Sequence, residues 1–192
     1  MSIGKVNETS IQKSKASGQS FDEWVKGQNL YHGTSAEIKS GKLQIGAGEG
    51  FKKGGQSGGL FLSDKPEVSQ VFGKNIYQAS SEIKKQVIDL TKPEGINKFR
   101  GHVGKTYKTY DGETVKFSQQ DFDAMFPSGK TDFASISQYP ELVEKIVKDN
   151  KLRGIAFDEY AGGTIGKTYQ ILEGDIPVKT RSQLKAEWDK VK

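Results

Sequence analysis

The chain has 192 residues, of which 33% are hydrophobic, 23 are glycine and none is cysteine. That is the length of one domain, and its glycine content and modest apolar fraction exclude a helical bundle and point to a loop-rich α+β fold. The lack of cysteine excludes disulfides and thiolate metal sites and fits a reducing, cytoplasmic setting. The sequence holds no apolar run long enough for a membrane span and no apolar secretory-signal segment, so no membrane partner is expected. A net charge of +5 favours encounters with acidic partners, protein or nucleic acid.

Residues 1–20 are rich in Ser, Lys, Gln and Gly and read as a flexible N-terminal segment, followed by one domain over 21–192. A short helix should begin at Phe21, with Ser20 as cap and Glu23 three residues on. Residues 28–33 read as the first strand. Residues 39–59 hold eight glycines together with Lys42, Lys52 and Lys53, the composition of a mobile, Gly-rich lid loop. Leu60-Phe61-Leu62 is a short strand. Asp64-Lys65-Pro66-Glu67 predicts a helix start with Asp64 as cap, and the helix should send Val68, Val71 and Phe72 toward the core before Gly73.

Strands are expected over 75–79 and 86–90. Residues 91–135 carry no periodicity that assigns them. Leu142, Val143, Ile146 and Val147 lie on one side of a predicted helix over 140–148. Strands over 154–158 and 168–172 flank a Gly162-Gly163 turn, and Thr180 with Gln183 forms a capping box opening a final helix through Trp188. The basic residues Lys179, Arg181, Lys185, Lys190 and Lys192 read as a solvated face.

One of only two histidines stands in Tyr31-His32-Gly33-Thr34, at the end of the first strand. Alone, a strand-end histidine is most often a half-buried structural residue. Here it is followed by Gly59-Leu60-Phe61-Leu62-Ser63-Asp64 and then by Ser69 and Phe72 on a helix. Together these blocks resemble the ADP-ribosyltransferase superfamily, in its His-Tyr-Glu branch of poly-ADP-ribose polymerases and diphtheria-type toxins. The chain is similar in particular to single-domain members encoded by bacteriophages and mobile elements.

The resemblance implies a split, mixed β-sheet core with flanking helices and NAD as co-substrate. It implies mono-ADP-ribosyl transfer to a macromolecular acceptor, a host or phage protein or a nucleic acid, in the host cytoplasm if the chain is phage-encoded. His32 would meet a ribose hydroxyl. Gly33 would offer its backbone to the nicotinamide amide, within the block Tyr31 to Thr34. Phe61 stands where the family has a stacking tyrosine. Ser69 would bind the amide, and Phe72 would cover the ring's other face.

The third family position, a glutamate on the late strand, falls on Thr168, and period-two alternation puts Gln170 on the same face. Neither is a carboxylate. Glu173 and Glu159 read as solvated or structural, and the Asp158-Glu159 pair is split across the two faces of a strand. The departure leaves open a catalytically degenerate NAD- or nucleotide-binding module, or a phage structural or packaged protein. His102 has no partner at metal-ligand spacing.

Overall fold

The computed structural model describes residues 3–45 and 58–192. The N-terminal segment is helical: α1 spans Ile3–Ala16 and α2 spans Phe21–Gln28. The segment expected as a flexible lead-in is thus helical over Ile3–Ala16. Ile11 is buried with Trp24, Val25, Leu184 and Trp188, and Trp24 Nε1 donates to Ser10 Oγ at 3.0 Å. One well-placed isoleucine facing two tryptophans anchors this helix on the domain. Ser20 and Glu23 cap α2 reciprocally: the Ser20 N–H donates to Glu23 Oε2 at 2.7 Å, and the Glu23 N–H donates to Ser20 Oγ at 3.3 Å.

The chain then runs through β1 (Asn29–Thr34), β2 (Lys42–Leu43), β3 (Leu60–Ser63), α3 (Pro66–Gln70) and β4 (Asn75–Ser80). Residues 46–57, most of the expected lid, lie outside the described residues. A 3₁₀ turn over Ser81–Gln86 leads into β5 (Val87–Asp89) and α4 (Pro93–Arg100). The segment that sequence left unassigned, 91–135, begins with α4 and goes on to a two-stranded hairpin and two further short helices. These are β6 (Thr106–Lys108), β7 (Thr114–Lys116), α5 (Gln119–Met125) and α6 (Phe133–Ile136). The last elements are α7 (Pro140–Asp149), β8 (Gly154–Ala161), β9 (Thr164–Ile171), β10 (Ile176–Lys179) and α8 (Arg181–Lys190).

The result is an α+β protein with an eight-stranded mixed sheet in the order β2-β10-β4-β1-β3-β9-β8-β5. Pairing is antiparallel except between β5 and β8. One core packs Phe61, Ile155 and Phe157 beneath α4, α5 and α7. A second gathers Leu30, Leu62, Tyr77, Tyr169 and Ile171 on the opposite face. Among the described residues no helix is long and apolar enough to cross a membrane.

Two local features position the site. The β1–β3 register holds a single pair, Tyr31 with Ser63, whereas β1 pairs with β4 along its whole length. The β8–β9 hairpin closes on Gly162 and Gly163, at φ 58° and 77°, with Ala161 opposite Thr164. Two successive positive φ values give the turn twist that suits a two-residue hairpin, and glycine takes both without strain. That turn fixes the register: Glu159 faces Gly166, and Phe157 faces Thr168.

Candidate functional site

Where β1 parts from β3, a cavity of about 310 Å³ opens between the two strands, α3, Phe133 and the β8–β9 hairpin. His32 and Gly33 come from β1, Phe61 and Ser63 from β3, Ser69 from α3 and Phe72 from just after it. Phe133 belongs to α6, and Glu159 and Thr168 to β8 and β9.

His32 is held by a contact between Nδ1 and the Phe61 carbonyl at 2.8 Å. A carbonyl only accepts, so Nδ1 carries the proton, and in the neutral ring Nε2 is left as an acceptor. Burial pushes the imidazole below its ordinary value, against the opposing pull of the Phe61 carbonyl. The neutral form is therefore favoured, and the ring offers a lone pair suited to a ligand hydroxyl.

Ser69 is buried, and its hydroxyl donates to the Tyr31 carbonyl at 2.8 Å. With its proton committed, Ser69 Oγ is left as an acceptor, matched to a donor such as an amide N–H. Gly33 is required by the approach of α3, because a Cβ there would stand 1.7 Å from the Ser69 carbonyl oxygen.

The walls are aromatic. Phe61 meets Phe133 edge to face, with centroids 5.7 Å apart, and Phe133 stacks on Phe157 at 4.3 Å. Phe72 is 55% exposed at the mouth, and its neighbour Val71 is 57% exposed. The expectation that both pack into the core is corrected: α3 buries only Val68 and Ser69. Asp64 does not cap α3 either. Lys65 is the cap residue, and Asp64 clamps β3 to β9 by accepting from the Lys167 N–H at 2.8 Å and donating its own N–H to the Lys167 carbonyl at 3.0 Å.

Of the residues singled out from sequence, the fold brings His32, Gly33, Phe61, Ser69, Phe72 and Thr168 to this one cavity. Tyr31 and Thr34 do not line it. Tyr31 contributes its carbonyl to Ser69, and Thr34 Oγ1 accepts from the Ala36 N–H at 3.1 Å. Gln170 also lies outside it: fully buried, it donates Nε2 to the Gly58 carbonyl at 2.9 Å.

The residue that sequence reasoning missed is Glu159. Read as solvated or structural, it is half-buried on the cavity wall, and its Oε2 accepts from Thr168 Oγ1 at 2.6 Å. The signal was present in the Gly162-Gly163 turn. A two-residue hairpin closed there makes 159 and 168 diagonal neighbours on one face, within reach of a long side chain. Glu173, by contrast, is exposed. His102 is occupied with the Tyr107 hydroxyl, and among the described residues no acidic and histidine cluster forms a metal site.

In comparisons with protein-family models, curated proteins and solved structures, the chain found no match.

Proposed function

We propose that the cavity binds NAD⁺ and that the protein transfers ADP-ribose from it to a macromolecular acceptor. The observation that carries this reading is the convergence of His32, Gly33, Phe61, Ser69 and Phe72, from separate sequence blocks, on one cavity at the β1–β3 parting. Its volume lies near the lower end of the range for small-molecule pockets, enough for the nicotinamide end of the dinucleotide. The nicotinamide of NAD⁺ is a flat cation, and aromatic walls suit both its shape and its charge. Ser69 Oγ complements its amide N–H, and His32 Nε2 complements a ribose hydroxyl. On this reading the sheet is the split core of an ADP-ribosyltransferase-like fold.

A second reading is a module that binds NAD⁺ without transferring it. Thr168 favours it, standing where the resembling family carries its glutamate. Calorimetric titration with NAD⁺ tests the site: saturable binding that weakens in His32→Ala is expected, and no binding by the wild type removes both readings. Nicotinamide release then separates them. Labelled NAD⁺ incubated with and without cell lysate reports whether a macromolecule accepts the label.

A further inference from the structure

We propose that Glu159 supplies the carboxylate for cleavage of the nicotinamide–ribose bond, delivered from β8 in place of β9, and that Thr168 is its positioning residue. The proposal rests on the NAD⁺ reading above and names the group that would do the chemistry in that cavity.

The argument begins with what the cavity contains. Glu159 is the one acidic side chain among the described residues that line it. It is placed there by the hairpin register. Gly166, directly opposite Glu159, has no side chain, because a Cβ there would press on Ser63, Val68 and Lys65. The Glu159 side chain is thus free to lean diagonally toward Thr168, which is itself buried. The Thr168 hydroxyl holds Oε2 at 2.6 Å. A carboxylate has about four lone-pair positions, so Oε1 and the remaining lone pairs are left to serve a ligand. Among the described residues Glu159 forms no ion pair.

Such a group fits the step. The bond from ribose C1′ to the pyridinium nitrogen breaks, and neutral nicotinamide leaves with the electron pair. C1′ becomes oxocarbenium-like, as in glycoside cleavage. A lone pair of the acceptor, or of water, forms the new bond to C1′, and the acceptor's proton is released. Glu159 would accept a hydrogen bond from a hydroxyl of that ribose and place a fixed negative charge beside the developing positive one. Threonine at 168 is then no loss of the carboxylate. It is the hydrogen-bond donor that orients a carboxylate arriving from the neighbouring strand.

The test is nicotinamide release from NAD⁺ by the full chain, with water as acceptor, alongside calorimetric NAD⁺ binding. Glu159→Gln should lower kcat by about 10²–10³-fold, the usual consequence of removing one preorganised transition-state partner. Its NAD⁺ affinity should stay close to that of the wild type. Thr168→Val should lower kcat and leave KM unchanged, and Thr168→Ser should restore it. The double variant Glu159→Thr with Thr168→Glu, which returns the carboxylate from the other strand, should release nicotinamide faster than Glu159→Gln. Equal turnover by Glu159→Gln and the wild type would overturn the role of Glu159 and leave the binding site standing. Wild type that binds NAD⁺ and releases no nicotinamide would overturn it in the same way. Failure of the wild type to bind NAD⁺ would remove the site reading and this inference together.

Discussion

The Gly33 Cα lies so close to the Ser69 carbonyl that a methyl group added to it would overlap the oxygen, at 1.7 Å. The contact seats α3 directly on β1. Gly33→Ala must push α3 outward or bend β1. A loss of about 1–3 kcal/mol is expected from overpacking alone, read as a lower urea midpoint, together with loss of NAD⁺ binding. An alanine variant as stable as the wild type would mean that α3 is not seated on β1.

His32 makes a pH prediction whose sign follows from its burial. Its folded-state proton affinity is lowered below the ordinary value of 6.5. The unfolded chain therefore binds the proton more readily. The stability contributed by neutral His32 is complete above about 6.5 and is lost as the pH falls below it. Urea midpoints between pH 7 and 5 should fall more steeply for the wild type than for His32→Asn; parallel curves would count against it. NAD⁺ affinity should also drop once the pH falls through the lowered folded-state value, because protonation removes the Nε2 acceptor. His32→Ala should weaken binding by about 1–3 kcal/mol at pH 7.5.

Phe72 and Phe157 separate binding from folding. Phe72 is 55% exposed at the cavity mouth, and Phe157 is 1% exposed beneath it. Phe72→Ala should change stability by less than about 0.5 kcal/mol and weaken NAD⁺ binding. Phe157→Ala should cost about 3–5 kcal/mol of stability. Thermal melts with and without NAD⁺ would distinguish the two. Equal binding by Phe72→Ala and the wild type would place the nicotinamide deeper, against Phe61 and Phe133 alone.

How far the sequence could be read depended on how local the signals were. β1, β3, α7 and the two capping boxes carry their own patterns, and each lies within a residue or two of where the pattern put it. The Gly162-Gly163 turn was legible too, and its register, worked through, places Glu159 beside Thr168. What was not legible was decided at a distance. Phe72 follows the short helix that carries Val68, and only tertiary packing decides that Val68 is covered and Phe72 is not. Residues 91–135 fold into pieces of at most 8 residues, too short to show a clear period, held by a core assembled from Phe99, Phe117, Phe122 and Ile136.

Gln170 tests the late strand from the other side. It shares a face with Thr168, yet it is fully buried and turned to the Gly58 carbonyl. Gln170→Glu would bury a charge facing a carbonyl and should destabilise the fold by at least about 1–3 kcal/mol. It should bring no gain in nicotinamide release, since the new carboxylate does not reach the cavity. A rise in turnover would place Gln170 on the ligand and correct the described geometry of β9.

The N-terminal helix provides the last prediction. Most of α1 is polar, and its hold on the domain rests on Ile11, 1% exposed against Trp24 and Trp188, with Lys15 lying over the Trp188 ring at 5.2 Å. Truncating a buried isoleucine to alanine costs about 2–5 kcal/mol where the site cannot collapse. The Trp24 and Trp188 rings beside it already pack on each other, with centroids 5.4 Å apart. Ile11→Ala should therefore lower the melting temperature and shift tryptophan fluorescence to the red as water reaches the two indoles. Because this cluster lies on α1, α2 and α8, away from the cavity residues, NAD⁺ affinity below the melting transition should be unchanged. An Ile11→Ala protein with wild-type melting and fluorescence would show that α1 is not docked on the tryptophans in solution.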